Sequence, residues 1–257
     1  MRKLILSLII VLGMVTVLCV GCKKNQNPVS SSDTTAKVPQ SGYPIPTFGA
    51  SAGGVLATIQ VGYTTNTNTY ETHLDLGFVY FGTGTDAGTV SVNGKIVSKI
   101  TDGTLVYYTS IDSTNLSPSL DLYWDGTIHS WNVSGSGTIP AFTLDVPSPT
   151  TFMVRNPSAL SLISKSSDLN VTWSGASSTS SDSIIIVLVP VNGSGSTYTA
   201  TTNNKTGSYK ISANQLSELA GSVLLEVVKY KYEMKTEGGK SFFGVAEIVN
   251  KVNFYIQ

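Results

Sequence analysis

Hydrophobic and polar residues alternate from Tyr70 to Phe81, with Tyr70, Thr72, Leu74, Leu76, Phe78 and Tyr80 on one side of an extended chain. Successive side chains of a strand point to opposite faces, so this pattern predicts a half-buried β-strand with that face in a core. Shorter runs follow, and the residues between them identify the turns. Val90–Val92 and Lys95–Val97 flank Asn93-Gly94, a pair that accepts the positive φ needed at both centres of a type I′ hairpin. Asp102-Gly103 lies between Ile100 and Leu105, and Asp125-Gly126 between Leu120–Trp124 and Thr127–Val133. These repeats predict a meander, closed by Ala141–Val146.

Pro147-Ser148-Pro149 interrupts the strands, and the rhythm changes after it. Leu169, Val171 and Trp173 share one face, Ile184–Val189 is an apolar run, and Gly207–Ile211 is short. Two long runs, Ser222–Tyr232 and Phe242–Ile256, end the chain. Lys229 and Lys231 interleave with Tyr230 and Tyr232, a pattern that predicts a lysine-guarded edge strand. One place argues for helix: Ser212 and Gln215 form a capping box, with Leu216 and Leu219 on one face.

The first 46 residues read differently. Arg2 and Lys3 precede the uncharged run Leu4–Val20, the form of an export signal. Lys23 to Pro46 holds four prolines and little apolar material, which predicts a flexible, disordered tether. The chain carries 16 basic and 16 acidic residues, and loss of Arg2 and Lys3 with a leader leaves 14 against 16. Arg155 is then the sole arginine, so the bidentate phosphate and base contacts of nucleic-acid recognition are nearly absent. We expect no nucleic-acid partner.

Cys19-Val20-Gly21-Cys22 resembles the lipobox of bacterial lipoproteins, with Cys19 where Leu is usual. The resemblance implies cleavage after Gly21, lipidation of Cys22 and anchoring in a membrane. Lys23 and Lys24, in place of the acidic residue that retains Gram-negative lipoproteins at the inner membrane, imply the outer membrane, with the body on its periplasmic or cell-surface face. Lipidation would consume Cys22, leaving the mature chain without a free cysteine or disulfide.

The expected organisation is a signal peptide (1–21), a lipidated cysteine and tether (22–46), and two tandem β-sandwich domains (47–146 and 147–257), an all-β protein. The strand ending in Trp173, the buried run after it, Tyr209-x-Ile211, Leu216 in a short link and the final hairpin resemble a fibronectin type III or related immunoglobulin-like sandwich. The same layout, with the segment Trp131–Ser136, is similar to uncharacterised bacterial surface lipoproteins. Such a fold implies no function by itself.

Candidate chemistry is sparse. Glu71, His73 and Asp75 fall on the non-core side of the first strand, about 7 Å between neighbours, which is wide for one ion and fits a solvated face better. His129 shares a face with Trp131 and Val133 and is expected at the border of the core. Gly82–Gly88 is rich in glycine but links strands, and no Gly-x-Ser-x-Gly elbow is present. No cofactor and no catalysis are expected, a cryptic hydrolase being the third alternative. Aromatic pairs give the better lead: in Tyr107-Tyr108 and in Tyr123-Trp124 one ring should point to the core and the other outward, where it could meet a sugar face or an envelope protein. The leading expectation is therefore a non-catalytic binding or scaffolding lipoprotein, with a carbohydrate-binding surface protein as the alternative.

Overall fold

The computed structural model describes residues 52–65, 69–111 and 120–257. The expected leader, Cys22 and tether lie outside the described residues, as does the side chain of His73. The fold is all-β: β1 (Ala52–Thr64), β2 (Tyr70–Tyr80), β3 (Val90–Val92), β4 (Lys95–Asp102), β5 (Leu105–Thr109), β6 (Ile128–Val133), β7 (Phe142–Pro147), β8 (Val154–Asn156), β9 (Leu162–Ile163), β10 (Leu169–Trp173), β11 (Ser183–Ser194), β12 (Tyr198–Asn203), β13 (Ser208–Ile211), β14 (Ala220–Glu237) and β15 (Lys240–Ile256). The helix α1 (Ala213–Leu216) sits where the capping box placed it, with Ser212 accepting from the Gln215 backbone and the Gln215 side chain accepting from Ser212 N–H.

One sheet runs in the order β12-β11-β14-β15-β1-β2-β5-β4-β3-β6-β7, and β13-β10-β8 form a second. Inside the large sheet, β1 lies antiparallel to β2 and parallel to β15, with Leu56 opposite Gly244 and Ile59 opposite Glu247. Both faces of β1 are buried, so its sequence is nearly continuously apolar instead of alternating. Its polar intrusions, Thr58 and Gln60, are each spent on a side-chain hydrogen bond.

On one face a single apolar cluster runs from Leu56, Trp131 and Val133 through Phe142 and Leu144 to Val171, Trp173 and Phe254. It joins residues on both sides of the expected boundary near Pro147, which falls at the end of β7. Strands from 47–146 and 147–257 therefore share a hydrogen-bonded ladder and a core. On the opposite face, Ile59, Leu76, Phe78, Val187, Val228 and Val249 belong to a second buried cluster.

Asn93 and Gly94 have φ of 49° and 75°, the type I′ geometry expected of them. The next hairpin turns one residue later than expected, because Asp102 stays in β4 opposite Leu105. The third Asx-Gly pair makes no hairpin. Leu120–Trp124 forms no strand, and β6 pairs instead with β3 and β7. The lysine-guarded edge is corrected as well, since β14 lies between β11 and β15. Packing at β7 is close: a Cβ added at Gly244 would collide with Val146 and Leu144.

Candidate functional site

Three of the residues singled out in the sequence, His129, Trp124 and Asp75, converge beneath the loop that precedes β6. His129 is fully buried on the same face as Trp131 and Val133, as expected. Its Nε2 lies 3.0 Å from the Tyr123 carbonyl, which can only accept, so Nε2 carries the proton. In the neutral ring Nδ1 is then an acceptor, and Thr58 Oγ1 donates to it at 2.8 Å. Burial pushes the His129 pKa down, which favours this neutral form. Trp124 meets the imidazole edge-on, 4.9 Å between centroids, and its Nε1 donates to Asp75 Oδ1 at 3.0 Å. Gln60 Nε2 donates to the same oxygen at 3.1 Å. Burial raises the Asp75 pKa, and the hydrogen bonds from Gln60 and Trp124 oppose that shift.

The loop is thereby pinned from below. The Trp124 carbonyl also accepts from Thr151 N, and Thr127 Oγ1 donates to the Tyr123 carbonyl at 3.0 Å. Tyr123 itself points away and is 65% exposed, while Trp124 is 7% exposed. One ring in and one out is the arrangement strand alternation suggested, although the segment is a loop.

The pair Tyr107-Tyr108 does not present the outward ring expected of it, because its two rings pack on the two buried clusters. Tyr108 is buried, donates to Asp86 Oδ1 at 2.8 Å and accepts from Ala87 N. Burial, more than any other cause, pushes its pKa up to about 12. Asp86 is held at about 2, first by the Gly88 N–H and then by Lys99 and Tyr108. Tyr107 is half-buried on the opposite face, 6.0 Å from the Phe78 ring. Of the four candidate rings, Tyr108 and Trp124 are thus enclosed in the core, and Tyr107 and Tyr123 share no platform.

Glu71 and Asp75 do not share a face either. The β1–β2 register jumps from Val61–Leu74 to Gly62–Thr72, so β2 carries one extra residue. A one-residue slip exchanges faces. Asp75 therefore sides with Gln60, whereas Glu71, on the other side, accepts from Tyr63 Oη at 2.7 Å. Among the described residues no three His, Cys, Asp or Glu side chains gather as metal ligands.

Two polar clusters escaped the sequence reading. In the first, Lys229 Nζ donates to the Thr150 carbonyl (2.9 Å) and Thr150 Oγ1 (2.8 Å) and lies 3.3 Å from Asp182 Oδ2, its side chain wholly buried. Burial lowers the Lys229 pKa, and Asp182 opposes the shift. Lys231 Nζ approaches Asp182 Oδ1 at 3.5 Å. Asn204 donates to Asp182 and to the Gly175 carbonyl, and accepts from Trp173 Nε1 at 2.7 Å. The only sequence signal was lysine in an otherwise apolar run, which reads equally as an edge.

The second cluster lies on the opposite face of the sheet. Glu247 on β15 stands between Ile59 of β1 and Tyr230 of β14. Glu226, opposite Lys251, has its Oε1 3.2 Å from Lys251 Nζ, and neither of its oxygens receives an aligned hydrogen bond. Burial first, then the charge of Glu226, pushes Glu247 up to about 7. A carboxyl raised in this way stabilises the fold below its ordinary value of 4.5, and that contribution is lost as pH climbs toward 7. The full swing is about 3 kcal/mol. Urea midpoints should fall between about pH 5 and about pH 8, and Glu247→Gln should flatten that slope and raise stability at the upper end. An unchanged slope in the variant would assign the effect to other groups.

No family model matches the chain, and no curated protein matches it. Among solved structures, the adhesive subunit of the CFA/I fimbria of enterotoxigenic Escherichia coli aligns at 9% identity over 76% of this chain and 78% of that one, with a TM-score of 0.14. A likeness that weak carries no argument about fold or function.

Proposed function

We propose that the chain is an outer-membrane lipoprotein, anchored through Cys22, whose β body is a non-catalytic binding or scaffolding module. The observation that carries the reading is the loop at 120–127: His129 bonds its Tyr123 carbonyl and meets the Trp124 ring edge-on, Trp124 donates to Asp75, and Tyr123 is exposed. A ring fixed on a pinned loop offers apolar area at little entropic cost, with a polar tip. The titratable groups that would suit a hydrolase, His129 and Asp75, hold the loop in this reading. The order β13-β10-β8 in one sheet and β12-β11-β14-β15 in the other supports an immunoglobulin-like sandwich for the second half, with Trp173 on its middle strand.

A carbohydrate is the alternative ligand that the exposed ring favours. Tyr123→Ala should weaken retention in native gels cast with the retarding polysaccharide at least fivefold while leaving the melting temperature unchanged. Retention lost only with stability, or unaffected by the substitution, would remove Tyr123 from the contact. Cys22→Ser should release the protein from the membrane fraction with a change in mass, and a membrane-bound variant of unchanged mass would overturn the anchor.

A further inference from the structure

Sheet edges expose unpaired N–H and C=O groups, and charged residues or proline on them discourage added strands. Among the described residues, β7, β8 and β13 are edge strands that carry such residues, while β9, two residues paired to the end of β15, is too short to accept a partner strand. The outer strand β7 holds Asp145 and Pro147, and Lys235 Nζ donates to its Thr143 carbonyl at 3.0 Å. The three-stranded sheet ends at β8 with Arg155, and at β13 with Lys210, paired to Asp168 at 3.2 Å.

The edge strand β12 is different. It reads Tyr-Thr-Ala-Thr-Thr-Asn over Tyr198–Asn203, six residues without a charge or a proline, three of them β-branched. It pairs with β11 along its length and ends the sheet path, so its outer row of backbone groups faces away from the ladder. The strand is also held in place: Tyr198 Oη lies 3.2 Å from Tyr209 Oη of β13, which ties it to the second sheet. It is a formed edge that lacks the residues guarding the other three.

We propose that β12 is an association edge, and that its partner is β12 of a second copy, paired antiparallel about a two-fold axis between Ala200 and Thr201. In that register Tyr198 faces the counterpart of Asn203, Thr199 that of Thr202, and Ala200 that of Thr201. Every pair is neutral, and Thr–Thr pairing across strands is favourable. The nearest cation, Lys205, falls opposite the counterpart of Ser196, so the two Lys205 side chains sit at opposite ends, roughly 30 Å apart at the strand rise. The small net charge left after loss of Arg2 and Lys3, 14 basic against 16 acidic residues, adds little long-range repulsion between copies. Closed two-fold pairing also uses up the edge and prevents open-ended growth.

Sedimentation velocity on the full chain in mild detergent, from about 1 to about 100 μM, tests the assignment. The expected result is a concentration-dependent species of twice the monomer mass. Thr199→Lys with Thr201→Lys should raise its dissociation constant at least tenfold while the thermal transition stays cooperative. If the double variant fails to fold, Thr199→Lys alone, at an exposed position, gives the same reading. A wild-type chain that stays monomeric across the range overturns the proposal. So does a dimer that persists in a folded lysine variant.

Discussion

Residues 147–257 produced without the preceding segment should fail to melt cooperatively, and supplying residues 46–146 on a separate chain should restore the transition. Leu56 to Val61 in β1 are each at most 8% exposed, on both faces, against β15 and β2. Removing them strips β15 of its eleven-pair parallel ladder and uncovers the cluster around Val245 and Val249. Each buried Leu, Ile or Val side chain is worth about 1.5–3 kcal/mol, and a domain has only about 5–15 kcal/mol in all. Loss of Leu56, Ile59 and Val61 alone takes most of that margin. Circular dichroism melts of the two fragments, alone and mixed, read the outcome. An isolated 147–257 that melts sharply would make the shared ladder an interface between two self-sufficient sandwiches.

Lys229→Met should destabilise the protein by about 3–5 kcal/mol, the usual consequence of removing one member of a buried ion pair. The loss comes from what remains. Of its two cations Asp182 keeps the more distant Lys231 at 3.5 Å, and Thr150 loses the donor to both its oxygens. Asp182 also accepts from Asn204, which in turn holds the Trp173 indole, so disturbance should spread to β10. Combining Lys229→Met with Asp182→Asn should recover part of the loss, because the unpaired charge is gone. Urea unfolding of the two single variants and the double variant closes the cycle. Single variants within about 1 kcal/mol of wild type would show that the pair contributes little.

Features written in neighbouring residues were legible in the sequence. The Asn93-Gly94 turn, the capping box at Ser212 and the alternation through Leu169, Val171 and Trp173 each depend on contacts a few residues apart. Alternation separated Tyr107 from Tyr108, but Tyr107 packs on the second cluster and not outward, and the places of Tyr123 and Trp124 are set by a loop that alternation does not describe. What failed was non-local. The run Ala52–Thr64 carries no turn signal to its partner β15, almost 190 residues later, and nothing in it announces a parallel pairing that joins both halves of the chain. The face assigned to Glu71 depended on strict alternation, which the extra residue in β2 breaks. Lys229 was misplaced because sequence does not say whether a lysine among apolar neighbours borders water or meets a buried carboxylate. The loop under Tyr123 was visible only in part. His129 was expected near the core, but its bond to Thr58 needs β1 inside the sheet.

The position of β1 also bears on mechanical load. Residues preceding Ala52 feed directly into a strand with eleven registered pairs to β15 and a second ladder to β2 on its other side. A pull on the amino-terminal end along the strand axis therefore strains these ladders in shear, many bonds at once, and does not peel them open one by one. A chain tethered at Cys22 would transmit drag on a bound partner into a strand bonded along both of its edges. Under force the body should hold until β1 slides out as a unit, and the halves on either side of Pro147 would then come apart together.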